Sequence, residues 1–168
     1  MPQKPLKLLL CALAFQRVVA TAAGTCPPIA LGEGDLDGIL GQALGSLKTV
    51  VETSHVTIVP EDSNCYLHIA LTTKDIPVIM PSCQMTACSI ATVTGTRIAL
   101  RAFDISGCDA VFNGLSLPRH VPTAYADGSQ RILKHCGADG FEFRSATPRR
   151  EGHTPMVSVE LQAASGSH

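Results

Sequence analysis

The stretch Cys65-Tyr66-Leu67-His68-Ile69-Ala70-Leu71-Thr72 decides the fold of this chain, because its apolar and polar residues alternate. One face carries Cys65, Leu67, Ile69 and Leu71, and the opposite face carries Tyr66, His68 and Thr72. A period of two predicts a half-buried β-strand. A similar alternation over residues 96–103 predicts a second strand, which leads directly to Cys108.

The N-terminus, residues 1–23, has the pattern of a secretory signal peptide. Lys4 and Lys7 form a basic start, residues 8–15 are apolar, and Ala20-Thr21-Ala22 offers a small-residue cleavage motif. The apolar run is too short for the roughly 20 residues of a membrane-spanning helix. We therefore predict a secreted protein with no transmembrane segment.

Removal of this peptide leaves residues 24–168 as a single domain with an even number of cysteines. In an oxidising compartment we expect them to form disulfides. The six are Cys26, Cys65, Cys83, Cys88, Cys108 and Cys136. All pairings stay open, although loop closure between neighbouring strands favours a bond from Cys83 or Cys88 to Cys108. The alternative is a zinc site built from Cys83, Cys88, His135 and Cys136, but secretion favours oxidation, so we predict no metal and no cofactor.

A helix is expected over residues 35–50, since apolar residues recur there at helical spacing. Its expected buried face consists of Leu36, Leu40, Leu44 and Leu47. Glycines such as Gly41 weaken it, each by about 1 kcal/mol relative to alanine, so packing must hold the helix in place.

Short strands with turn signals between them account for most of the remaining chain. The predicted strands are residues 54–60, 130–136, 141–144 and 156–161, with a hairpin at Asn113-Gly114 and a polar loop over residues 147–154. Such a pattern indicates a mainly β fold, an antiparallel sandwich or barrel with one short N-terminal helix.

Charge and composition exclude one class of partner. The formal net charge is −1, there is no Trp, and there are two Tyr. The chain therefore lacks the broad positive field that gathers nucleic acid and the usual aromatic stacking platforms for bases or sugars, and we predict no nucleic-acid partner.

The cysteine frame gives a further indication. Its features are Asn64-Cys65-Tyr66, the pair Cys83 and Cys88, Ile105-Ser106-Gly107-Cys108, Val111-Phe112-Asn113-Gly114 and Arg131-Ile132-Leu133-Lys134. Together they resemble the pherophorin domain of volvocine green-algal extracellular-matrix proteins, although that family carries adjacent cysteines where this chain has Ala87-Cys88. The resemblance implies a structural matrix component without enzymatic activity, whose partner is an extracellular glycan or matrix protein.

Four residues are candidates for a binding site. His120 lies in a proline-bounded loop, and Arg144, Arg149 and Arg150 form a basic cluster that could meet an acidic polysaccharide. We assign no catalytic residue, because there is no G-x-S-x-G motif. Asp127 and Asp139 also stand before glycine, where an aspartate usually caps its own turn.

Two functions remain open on this basis. The first is a structural or adhesive extracellular module that binds glycan or protein through its loops. The second is a small secreted hydrolase or inhibitor that uses the His120 loop. A pocket that gathers His120, His135 and acidic side chains would favour the enzyme, and a scattered arrangement over a filled interior would favour the binding module.

Overall fold

The computed structural model describes residues 24–45, 49–78, 81–109 and 124–165. The described elements are, in chain order, β1 (Ile29–Leu31), α1 (Glu33–Ala43), β2 (Val51–Ile58), β3 (Leu67–Thr73), β4 (Gln84–Thr94), β5 (Arg97–Gly107), β6 (Ala124–Asp127), α2 (Ser129–Cys136), β7 (Phe141–Glu151) and β8 (Thr154–Ala163). The predicted signal peptide, the Asn113-Gly114 hairpin and His120 lie outside the described residues.

The strands form two antiparallel sheets, which confirms the predicted mainly β class. The larger sheet has the order β2-β3-β4-β5-β6 and the smaller has the order β1-β8-β7. Helix α1 contacts both edge strands of the larger sheet, β2 and β6, so this sheet curves into a half-barrel that α1 closes. Strand β7 packs against β4 and brings the smaller sheet onto the larger one.

The interior is filled by aliphatic side chains from every layer. Fully buried residues come from the larger sheet, the smaller sheet and α1, and they include Val56, Leu67, Leu100, Val157 and Leu36. The alternation predicted for the Cys65 strand holds along β3, where Leu67, Ile69 and Leu71 are buried and His68 is exposed. This burial of apolar area is the main driving force for the fold.

Tyr66 departs from the predicted alternation, because it is buried rather than exposed. Strand β3 begins only at Leu67, opposite Ser89 of β4, so Ala91 has no β3 residue beside it. The Tyr66 hydroxyl takes that place: it donates to the Ala91 carbonyl at 3.1 Å and accepts from the Ala91 N–H at 2.9 Å. The side chain therefore continues the sheet beyond the end of the strand.

Helix α1 is confirmed, but it begins and ends earlier than residues 35–50. It starts at Glu33, next to Gly32, whose N–H donates to the Asp35 carboxylate at 3.0 Å. Leu36, Leu40 and Leu44 are buried as predicted, together with Ile39. Leu47 lies outside the described residues.

Two acidic side chains of α1 reach the free edge of β2. Glu33 accepts the Ile58 N–H at 3.0 Å, and Asp37 accepts the Val56 N–H at 2.6 Å. The second Asp37 oxygen lies 3.0 Å from Nδ1 of His55. These bonds hold the helix against the edge strand.

A second helix, α2, replaces the strand predicted over residues 130–136, and that prediction was wrong. The Asp127 carboxylate accepts the Ser129 N–H at 3.0 Å and so starts the helix. Gly137 ends it in the left-handed conformation, with φ of 71°, and its N–H donates to the Leu133 carbonyl at 2.9 Å. Ile132 points into the core between these ends.

The polar loop predicted over residues 147–154 was also wrong, because β7 continues to Glu151 and turns through Gly152 into β8. Pro148 interrupts nothing, since β7 has a hydrogen-bonded strand on one side alone. A proline that lacks an N–H is tolerated on such an edge strand.

Three disulfides connect these elements, as predicted. Their pairs are Cys26–Cys136, Cys65–Cys88 and Cys83–Cys108. The last joins the start of β4 to the end of β5 and is one of the two bonds that strand neighbourhood favours. A zinc site would need thiolates at positions 83, 88 and 136, and each of these sulfurs is bonded to another cysteine.

Candidate functional site

The basic cluster predicted from the sequence does not form one patch. Arg144 and Arg149 are both exposed on β7, but they are five positions apart along the strand, which separates them by roughly 16 Å. Arg150 is engaged by Glu61 of the β2–β3 connection, to which its guanidinium donates two hydrogen bonds. The hydrogen bond from Arg150 lowers the pKa of the Glu61 carboxyl. Arg150 thus connects the two sheets.

The acid–base candidates within the described residues are likewise dispersed. Nε2 of His135 lies 3.0 Å from the Pro27 carbonyl, beside the Cys26–Cys136 bond, with no carboxylate as its partner. Asp127 bonds to Ser129, and Asp139 is exposed in the bend before β7. His55 pairs with Asp37, a histidine–carboxylate contact that was not predicted from the sequence. This contact holds α1 against β2.

One group in the described part of the chain has ligand atoms close enough for a metal: Asp62, Cys65 and His68, whose atoms lie within 4.8 Å of one another. The Cys65 sulfur is already bonded to Cys88. Two protein ligands then remain, which is fewer than the three or four that zinc sites use.

A concave site does exist between the two helices. We call it the α1–α2 cleft. Its volume is about 350 Å³, and it is lined by Ile39, Gln42, Ile98, Ala126, Asp127, Gly128, Gln130, Arg131 and Lys134. Arg131 donates to the Asp35 carboxylate at 2.9 Å and so ties α2 to α1.

The cleft combines an apolar floor with a polar rim. Ile39, Ile98 and Ala126 are buried at its base. Asp127 stays ionised at neutral pH, because the backbone N–H of Ser129, and then the Ser129 hydroxyl, lower the pKa of its carboxyl. Few convergent polar groups over an apolar surface are typical of a ligand-binding site.

The cleft was not predicted from the sequence, because residues 130–136 were assigned to a strand and not to helix α2. In a helix, Gln130, Arg131 and Lys134 share one face, whereas a strand places Arg131 opposite the other two. The helical spacing of these polar residues, followed by Gly137, is the signal that could have identified the site.

No helix in the described ranges is both long and apolar enough to cross a membrane. Comparison of the chain with protein-family models, with curated proteins and with solved structures found no match. The resemblance to the pherophorin domain therefore stays a prediction.

Proposed function

We propose that this chain is a secreted structural or adhesive module of an extracellular matrix or cell wall, which binds glycan or protein at its surface. The observation that carries the proposal is the set of three disulfides, which reach from the first residues of the domain to α2 and across the larger sheet. Such bonds form and persist in oxidising compartments outside the cytosol.

The interior supports the same function. Aliphatic side chains fill the space between the sheets. The acid–base candidates within the described ranges lie on separate surfaces, each with a structural partner or in solvent. A rigid body with dispersed titratable groups suits a scaffold or a binding module better than a hydrolase.

The test is expression of the full chain in a eukaryotic secretory host. We expect protein in the medium whose N-terminus begins near Ala23 or Gly24, with no free thiol and with retention on isolated wall or matrix material. A matched variant that lacks residues 1–23 should stay inside the cells. A mature product that retains Cys11, or one with titratable thiols, would overturn the proposal.

Enzymatic activity is tested on the same material. We expect no turnover of a panel of ester, peptide and glycoside substrates. Turnover that His120→Ala abolishes would replace the structural module with an enzyme.

A further inference from the structure

We propose that the α1–α2 cleft binds a saccharide carrying an acidic group, with Lys134 holding that group and Asp127 accepting a hydrogen bond from a sugar hydroxyl. The inference deepens the proposed function and rests on it for the extracellular setting in which such saccharides occur. The proposed binding site is therefore formed by the two helices and not by the arginines of β7.

The cleft is preformed. Its floor residues Ile39, Ile98 and Ala126 belong to the core, so they cannot shift without disturbing the half-barrel. The ion pair of Arg131 with Asp35 fixes one end of α2, and the bond from Cys136 to Cys26 fixes the other. A site held in this way loses little entropy when a ligand binds.

Three polar side chains on the rim are uncommitted. The side chains of Gln42, Gln130 and Lys134 have no hydrogen-bond partner among the described residues, and Gln42 and Lys134 are on opposite helices. Each amide offers both a donor and an acceptor, which matches the dual role of a sugar hydroxyl.

Opposite charges lie at the two ends of the cleft. Asp127 lies two positions before Ser129, the first residue of α2, and Lys134 lies in the last turn of α2. The two charges are therefore separated by roughly 10 Å along the helix axis. The charge of Arg131 is already balanced by Asp35, which leaves Lys134 to bind an anionic group. Asp127 already accepts hydrogen bonds from the Ser129 N–H, the Ser129 hydroxyl and the Thr96 hydroxyl, so its carboxylate has room for one more, from a sugar hydroxyl at the other end of the cleft. These opposite charges favour a saccharide that presents an acidic group to one end of the cleft and a hydroxyl to the other.

The experiment measures binding of fluorescent oligosaccharides to the secreted, oxidised full chain by anisotropy. The probes are oligogalacturonate, a sulfated dextran of similar length and neutral dextran. We expect oligogalacturonate to bind and neutral dextran to bind at least tenfold more weakly. Sulfated dextran that binds better than oligogalacturonate, and still through Lys134, would assign a sulfate ester as the acidic group.

Lys134→Ala should weaken binding about tenfold or more, since it removes a charge-assisted hydrogen bond. Lys74→Ala is the matched control, because Lys74 is an exposed lysine in the connection after β3, away from the cleft. It should change the affinity less than twofold. Gln42→Phe, which fills the cleft without changing charge, should also abolish binding.

Equal affinities for Lys134→Ala and Lys74→Ala would overturn the inference, as would a loss of binding that follows Arg149→Ala instead. Failure to bind any of the three probes would overturn it too. The proposed function is tested separately. If protein with both Lys134 and Gln42 replaced is still secreted, disulfide-bonded and retained by matrix material, the proposed function stands and the cleft has no part in it.

Discussion

At the level of single residues, Gly41 and Gly128 have opposite surroundings. A Cβ added at Gly41 would meet nothing within 4 Å, whereas one at Gly128 would lie 2.5 Å from ring atoms of Phe143 and 3.0 Å from the Thr96 carbonyl. Gly41→Ala should therefore be neutral or stabilise the protein by up to about 1 kcal/mol, because alanine favours the helix. Gly128→Ala should destabilise it by about 1 to 3 kcal/mol through overpacking. Urea unfolding measures both.

Each variant is the control for the other, because both replace glycine with alanine and neither glycine has a positive φ. A loss of more than about 1 kcal/mol at Gly41 would mean that another part of the chain contacts α1 there. An unchanged midpoint at Gly128 would mean that the Phe143 ring moves aside freely.

Tyr66 offers a second test at this scale, because its hydroxyl satisfies both backbone groups of Ala91. Tyr66→Phe leaves a buried N–H and a buried carbonyl without that partner, and should cost about 1 to 3 kcal/mol. The stability of the wild type should also depend on alkaline pH. Burial raises the pKa of the Tyr66 hydroxyl above its value of 10.0 in the unfolded chain.

The sign of this dependence follows from the raised pKa. Below the Tyr66 pKa of the unfolded chain, the contribution of Tyr66 to stability is fully present. It is lost as the pH rises through the Tyr66 pKa of the folded protein, because the hydroxyl of the unfolded chain ionises first. The unfolding midpoint of Tyr66→Phe should fall less steeply above pH 10 than that of the wild type. If the unfolding midpoints of the two proteins fell in parallel above pH 10, Tyr66 would not be the group whose ionisation destabilises the fold.

At the level of elements, period-two patterns predicted β2, β3, β5 and β8 because each buries large aliphatic residues on one face. Strand β4 escaped prediction, since the residues it buries, Ala87, Ser89 and Ala91, are small or polar and give little contrast. Helix α2 escaped because it is eight residues long and buries one residue, Ile132. Asp127, whose carboxylate accepts the Ser129 N–H, and the C-cap Gly137 carried more information than the apolar pattern of the helix.

The stability that Asp127 gives to the start of α2 should depend on pH. Hydrogen bonds from the Ser129 N–H and hydroxyl lower the pKa of its carboxyl, so its contribution to stability is present above the unfolded value of 3.8 and is lost as the pH falls below it. Asp127→Asn should therefore show a shallower loss of thermal stability with acid than the wild type. Glu52→Gln, in which an exposed acid of β2 is neutralised, serves as the control. Identical acid profiles for wild type and Asp127→Asn would exclude the role.

At the level of the whole molecule, the disulfides differ in the length of chain that they close. Cys26–Cys136 spans 110 positions, and Cys65–Cys88 spans 23. Chain entropy then assigns the long bond about 4.7 kcal/mol and the short one about 3 kcal/mol. Net stabilities of about 5 to 15 kcal/mol make either loss severe.

Serine replacements of each pair should follow this order in urea unfolding, with Cys26→Ser/Cys136→Ser the less stable protein. Dithiothreitol should lower the midpoint of the wild type strongly, whereas EDTA should leave it unchanged. A reversed order would show that the shorter bond stabilises through packing around β4 rather than through loop closure. Unfolding by EDTA would restore the zinc alternative.

The candidate site belongs to the whole molecule and could not be predicted from local pattern. The contact that ties its two helices, Arg131 with Asp35, joins residues 96 positions apart. Periodicity reports which face of an element is buried, but it does not report which elements meet. Arg150 illustrates the same limit, because its engagement by Glu61 is invisible in the sequence run Arg149-Arg150.

The two α1 carboxylates on β2 have a consequence for self-association. An edge strand with free N–H groups can pair with a strand of another molecule, and such pairing leads to aggregates. Glu33 and Asp37 occupy the N–H groups of Ile58 and Val56, so this edge of the half-barrel is closed to a neighbour. We expect Glu33→Ala/Asp37→Ala, but not the exposed control Glu52→Ala, to form oligomers in light scattering at high concentration. The helix thereby hinders two copies of this domain from joining edge to edge into fibrils.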